Sequence, residues 1–130
     1  MFRTWITLVS LFGAVGVALA AWSSHGLASF IPAKQLAVAA ERARAASLHH
    51  LLHTLALFGV ALWSRQAPSG WLNLAGGLFS LGILCFAGGI YVLRIFAGIH
   101  TGPLINVVPF GGFCLIGGWL ALGVAGWKQR

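Results

Sequence analysis

Acidic residues are almost absent from this 130-residue chain, because Glu41 is the only one. Charged residues of both signs make up 7% of the sequence, whereas a typical soluble domain carries about 25%. So few charges cannot build a water-facing surface, and the 59% hydrophobic composition with a mean hydropathy of +0.93 favours the bilayer as the solvent. The apolar segments contain no carboxylate, which argues against an ion-coupled transporter or a proton pump.

Cysteines are equally scarce. Cys85 and Cys114 lie inside apolar segments, form no CxxC pair and predict no disulfide framework. The eight Lys and Arg residues are dispersed beside the apolar runs, a pattern typical of anchoring at lipid headgroups. A nucleic-acid-binding protein would cluster them on one face, so we expect no nucleic-acid partner.

Four long apolar runs cover residues 4–22, 48–64, 72–93 and 104–127. A helix rises about 1.5 Å per residue and the hydrocarbon core is about 30 Å thick, so runs of this length predict transmembrane helices. We therefore expect an all-α integral membrane four-helix bundle that forms a single domain over residues 1–130. A signal peptide is the alternative for the first run, but that run is longer than a typical signal core.

The first loop is the longest and should itself be helical. Pro32 suits a helix start, and the alanine-rich segment 33–47 contains no helix breaker. We expect this segment either to extend the second helix out of the bilayer or to lie at the interface. Glu41 and Arg44 are three residues apart there and could form an ion pair.

Positive charge does not decide the orientation. Four basic residues fall on each side, with Arg3, Arg65, Lys128 and Arg130 on one and Lys34, Arg42, Arg44 and Arg94 on the other. Basic residues stand directly at the outer ends of the first and last runs. This placement favours cytoplasmic termini, and an even number of spans puts both on the same side.

Histidine is the main chemistry-bearing residue type, and the predicted topology places all five histidines toward one membrane face. His49 and His53 are four residues apart, so they share a helix face. Imidazoles at this spacing can bind zinc or copper, and haem also takes histidine ligands. The candidate metal ligands are His25, His49, His50, His53 and His100. The simpler interpretation is that they are interfacial hydrogen-bond donors and that the protein has no cofactor.

A second candidate set lies near the ends of the third and fourth runs on the same side. Arg94 either snorkels to the interface or holds an anionic lipid or a quinone-like headgroup. Proline removes a backbone donor, so Pro109 predicts a kink near the start of the fourth helix. The residues expected to contact lipid or a partner are Tyr91, Arg94, Pro109, Gly111 and Gly112.

Several short motifs resemble those of a known family. They are AWSSHGL at 21–27, HTLAL at 53–57, FAGGIY at 86–91, and VPFGG at 108–112 followed by Gly118 and Trp119. Their order and spacing resemble the bacterial inner-membrane family called domain of unknown function 423, which is related to eukaryotic transmembrane protein 256. The likeness extends over almost the whole chain and implies four transmembrane helices, an inner-membrane location and no established activity.

This chain departs from the family pattern at several positions. Ala87 and Gly89 stand where the family has serines, and Val108 stands where it has threonine, which removes hydroxyl groups from a possible polar site. By resemblance, His25 and His53 are the family-typical histidines, and we expect them to share a hydrogen-bonding site beside the kink.

Short loops, the lack of acids and many small-residue helix faces favour a non-enzymatic protein. We expect an accessory or scaffold subunit of a larger membrane complex, with membrane lipids and other integral membrane proteins as partners. The alternatives are a metal- or haem-handling protein that uses the histidines, and a lipid- or quinone-binding module built around Arg94.

Overall fold

Helices dominate the computed structural model, which describes residues 1–128. Gln129 and Arg130 lie outside these residues, and so does the contribution of Arg130 to the predicted charge balance. Residues 1–128 form four helices long and apolar enough to cross a membrane, in agreement with the predicted all-α class. They are α1 (Phe2–His25), α2 (Ala33–Gln66), α3 (Gly70–Ile83, continued by π-helical turns at Leu84–Gly88 and Ile90–Phe96) and α4 (Val107–Lys128).

The first loop is largely helical, as its composition predicts. A short 3-10 turn at Leu27–Ser29 follows α1, and α2 then begins at Ala33, directly after Pro32. At 34 residues, α2 is about 51 Å long. It is therefore considerably longer than the bilayer core, and its first part is the predicted extension of the second span. Glu41 and Arg44 form no ion pair, and residues 1–128 contain none elsewhere.

The core is divided into two clusters along the length of α2. Near the chain termini, Leu57 and Val60 of α2 pack against α3 and α4, with Leu72 and Phe79 fully buried. At the opposite end, the alanines of the α2 extension pack against the last turns of α3, around Tyr91 and Ile95. Because α2 contributes to both clusters, it is the central helix of the bundle.

Glycines allow α3 and α4 to approach each other closely. A methyl group added at Gly111 would overlap the backbone nitrogen of Phe86 and lie 2.9 Å from Cβ of Cys85. One added at Gly118 would lie 2.6 Å from the ring of Phe79. Gly111 and Gly118 are seven residues apart and therefore share one helix face. Small residues at such positions bring transmembrane helices into backbone contact.

The end of α3 is irregular, and a glycine closes it. The backbone N–H of Ile99 donates to the carbonyl of Leu93 at 2.8 Å, and Gly98 has a φ of 61°. The hydrogen bond spans six residues, one more than in a Schellman termination, and follows the wider π-helical turns; the left-handed conformation of Gly98 favours glycine because a side chain would be strained. The turn directs the following residues, including His100, back toward α2.

Pro109 does not produce the predicted kink. A 3-10 turn at Pro103–Asn106 leads directly into α4, which begins only two residues before the proline. In the first turn of a helix the backbone N–H groups have no intrahelical partner, so a proline there interrupts nothing. The chain changes from 3-10 to α geometry at Val107 instead of bending an established helix.

The α3–α4 contact yields a stability prediction. Replacing Gly111 with alanine forces backbone separation of the two helices, and overpacking of this kind costs about 1–3 kcal/mol. Gly123→Ala is the matched control on the same helix, because a methyl group there meets no atom within 4 Å. We expect a lower midpoint of thermal unfolding in detergent for Gly111→Ala, and an unchanged or higher one for Gly123→Ala. Equal midpoints for the two variants would contradict the observed packing.

Candidate functional site

A polar pair lies in the middle of the bundle. The indole Nε1–H of Trp119 donates to Nε2 of His53 at 3.1 Å, which joins α4 to α2. Trp119 lies about 18 Å from the start of α4 and about 14 Å from its end. His53 is buried, and its ring also contacts Phe79. The site is therefore at the centre of the membrane-spanning region and not at the predicted interface.

The hydrogen bonds of His53 fix its tautomer. Its Nδ1 lies 2.7 Å from the carbonyl oxygen of His49, which can only accept, so Nδ1 carries the proton. Nε2 then accepts from Trp119. Both ring nitrogens of a neutral imidazole are thereby satisfied. A metal at Nε2 would have to displace the indole and leave its N–H unpaired.

His49 lies beside this pair. Its ring stacks on that of His53, with centroids 5.7 Å apart, and meets the edge of Phe86 at 5.0 Å. The ring is half-buried between α2 and the π-helical part of α3. His49 and His53 thus share a helix face, as their spacing predicts, but they do so through stacked rings.

His50 points in a different direction, toward α1. The side chain is 4% exposed, and neither ring nitrogen has a hydrogen-bond partner among residues 1–128. Phe12 meets the ring edge-on and its backbone lies nearby without adequate hydrogen-bond geometry. A methyl group added at Gly16 would lie 3.2 Å from Nε2 of His50. Glycine is therefore what admits the imidazole between the two helices.

The five histidines do not converge on one site. His25 lines a cavity of about 340 Å³ with Ser23, Ser24 and Arg44. His100 lines a separate cavity of about 220 Å³. Residues 1–128 contain no group of three or more His, Cys, Asp or Glu side chains placed to hold a metal ion. The predicted set His25, His49, His50, His53 and His100 is divided because α2 begins far before its histidines and carries three of them into the bundle.

His25 and His53 do not form the expected shared site. His53 is bound by His49 and Trp119 in the middle of the bundle, whereas His25 ends α1 and faces the cavity beside Arg44. The kink beside which they were expected to meet is also absent. The partner that sequence reasoning missed is Trp119. It is the tryptophan that falls inside a span, where an indole N–H needs an acceptor because lipid offers none.

Tyr91 is buried and not available to lipid. Its hydroxyl lies 2.5 Å from Oγ of Ser47 and donates to the carbonyl of Ala43 at 3.4 Å. The π-helical turn that carries Tyr91 aims it at the α2 extension. Because sequence periodicity assumes regular helix, the tyrosine could not be assigned to this face from the sequence.

Arg94 donates to the Ile105 carbonyl, which Pro109 leaves without a backbone donor. In a continuous helix the residue at 109 would donate to Ile105, but proline has no N–H. Nη2 of Arg94 donates to that carbonyl oxygen at 3.4 Å. Of the other predicted contact residues, Gly111 is buried in the α3–α4 contact, and Gly112 approaches Phe86 at the edge of the same contact.

Two histidine substitutions test this description. His53→Leu removes the only acceptor for the Trp119 indole, and an unsatisfied buried donor costs about 1–2 kcal/mol. His50→Leu is the matched control, because it replaces a side chain that makes no hydrogen bond in the described structure. Thermal unfolding in detergent should show a lower midpoint for His53→Leu and an unchanged or higher one for His50→Leu. The opposite order would mean that His50 holds the essential polar contact.

Comparison with known proteins places the chain in a family. The family model described as "Protein of unknown function (DUF423)" matches residues 19–112. The chain is 30% identical to a "UPF0382 membrane protein" of Haemophilus influenzae, over 100% of this chain and 98% of that protein. It is 32% identical to the "UPF0382 membrane protein YwdK" of Bacillus subtilis, over 97% of this chain and 98% of that protein.

A further relative is the "UPF0382 inner membrane protein YgdD" of Escherichia coli, 26% identical over 90% of this chain and 84% of that protein. No solved structure matches the chain significantly. The apolar helices, the model match and the full-length relatives agree, and the chain belongs to the DUF423 family of membrane proteins of unknown function.

Proposed function

We propose that this protein is a non-enzymatic accessory or scaffold subunit of a larger membrane complex. The observation that carries the proposal is the surface of α1. Within Phe2–His25 only Gly16 is buried, and one side of the helix packs half-buried against the bundle while the other side is exposed. The uncovered side includes a row of small residues at helical spacing, namely Thr7, Ser10, Ala14, Ala18 and Ala21.

Small residues on an exposed transmembrane face suit another helix better than they suit lipid. Close approach of two backbones gains dispersion and hydrogen-bond energy that large lipid-facing side chains prevent. The hydroxyls of Thr7 and Ser10 donate within α1, to the carbonyls of Arg3 and Ile6, so they present no unsatisfied polar atom to a neighbour. A non-enzymatic role is supported by His53, whose two ring nitrogens are both occupied by structural hydrogen bonds.

Bulky substitutions on the α1 face test the role. In native electrophoresis from mild detergent, the wild-type chain should migrate within a complex that contains at least one other membrane protein, identified by mass spectrometry. Ala14→Leu combined with Ala18→Leu should release the chain, because the larger side chains separate the helix backbones. Gly123→Leu adds similar bulk at an exposed position of α4 and should not.

A chain that migrates alone, or only with copies of itself, would contradict the proposed accessory role. Release by Gly123→Leu to the same extent would mean that any added bulk disrupts the assembly.

We further propose that the protein lies in a bacterial inner membrane with both termini in the cytoplasm. The inner-membrane relative in Escherichia coli supports the location. Arg3 and Lys128, which lie at the same end of the bundle, support the orientation. A fluorescent protein that folds only in the cytoplasm should be bright when fused to the C-terminus, and an alkaline phosphatase fusion should be inactive there. The reverse pair of signals would invert the topology.

A further inference from the structure

A cleft at the loop end of the bundle concentrates positive charge. Its volume is about 220 Å³, and it lies between the α2 extension and the end of α3. Three segments of the chain contribute basic side chains to it, because the turn at Gly98 folds the following loop back onto α2. The basic residues that line the cleft are Lys34, Arg42, Arg94 and His100.

No carboxylate balances these charges. Glu41 is the only acidic residue of the chain, does not line the cleft and forms no ion pair within residues 1–128. Arg94 makes a single hydrogen bond, to the Ile105 carbonyl, although a guanidinium carries five N–H donors. Arg42 makes no hydrogen bond or ion pair in the described structure. Like charges gathered in a partly enclosed cleft repel one another, and an anion placed among them removes that repulsion.

Apart from Gln35, the remaining lining of the cleft is apolar. Ile31, Val38 and Ile95 are the large apolar residues of the lining, and the buried Ile95 belongs to the core cluster of this end. Basic and aliphatic side chains in one cleft suit an amphiphile better than a free ion. The cleft also lies where the helices leave the apolar region, which is the depth of lipid headgroups.

We propose that this cleft binds the phosphate group of an anionic phospholipid. Arg42 and Arg94 would hold the phosphate oxygens through charge-assisted hydrogen bonds, with Lys34 and His100 at the rim. The glycerol and the first acyl methylenes would lie along Ile31 and Val38. This site does not depend on the accessory role, because it is at the loop end of the bundle and the small-residue face of α1 is elsewhere.

Lipid retention measured by native mass spectrometry tests the site. The full-length protein would be exchanged into detergent containing phosphatidylglycerol or phosphatidylcholine, and the bound lipid counted after release. Phosphatidylglycerol should be retained and phosphatidylcholine should not. Each basic residue near a phosphate contributes about 1 kcal/mol, so Arg42→Gln should lower the affinity about fivefold. Arg3→Gln is the charge-matched control at the opposite end and should retain lipid like the wild type.

A second variant, compared by its unfolding midpoint, separates loss of lipid binding from loss of stability. Arg94→Gln should also weaken phosphatidylglycerol binding, but it removes the bond to the Ile105 carbonyl, so its unfolding midpoint must be measured as well. Because Arg42 makes no such bond, loss of binding in Arg42→Gln at an unchanged midpoint supports the site directly.

Three results would overturn the proposal. Equal retention of phosphatidylcholine, whose phosphate is neutralised by its own choline cation, would show that the cleft does not select a net anionic headgroup. Equal losses in Arg42→Gln and Arg3→Gln would show an effect of net charge alone. Inorganic phosphate that binds in an Arg42-dependent manner and displaces no lipid would show that the cleft takes a free anion and not a phospholipid.

Discussion

The hydrogen bond between Trp119 and His53 shows the constraint on which the whole structure depends. Lipid offers no donor or acceptor, so a polar group placed within the bilayer is stabilised only by a partner inside the protein. The indole of α4 meets this requirement through the imidazole of α2, and the imidazole meets it through the carbonyl of His49. Tyr91 of α3 meets the same requirement nearer the loop end of the bundle, by a hydrogen bond to Ser47 of α2. Both bonds end on α2. The longest helix is therefore also the one that positions its neighbours.

The packing of the other helices follows from this central role. Two kinds of contact join them, namely polar pairs such as those on α2 and close glycine contacts such as those between α3 and α4. The glycine contacts supply dispersion energy where apolar side chains gain nothing by leaving lipid. The polar pairs fix which faces meet, because a rotation of α2 would leave the Trp119 donor unpaired. Helix register is thus set by the polar pairs and the closeness of the helices by the glycines. α1 has no buried polar pair and only one buried residue, and one of its sides remains exposed.

Helix existence was predictable from the sequence, whereas the depth of the histidines was not. Hydropathy alone begins the second span at residue 48, because Arg42 and Arg44 precede it, and this places His49, His50 and His53 at the interface. The continuous helix from Ala33 carries the same residues into the bundle. The kink predicted from Pro109 was wrong for a related reason, because a proline bends a helix only when it lies beyond the first turn, and α4 begins at Val107. Tyr91 required knowledge of π-helical turns, for which Gly88 and Gly89 are a weak signal. Trp119 was the one detectable exception, as a polar-tipped ring within an apolar run.

His50 and Gly16 concentrate two unfavourable features at one helix crossing. A buried imidazole without a partner is destabilising, since its nitrogens have lost water and gained nothing. Glycine within a helix costs about 1 kcal/mol relative to alanine, yet alanine at position 16 would approach the imidazole to 3.2 Å and overlap Leu51. Glycine at this position therefore accommodates both Leu51 and the His50 ring from α2. Sequences depart from local stability in this way mainly where function or strain requires it. The crossing of α1 and α2 is therefore less stable than its sequence could make it, and it lies beside the exposed side of α1.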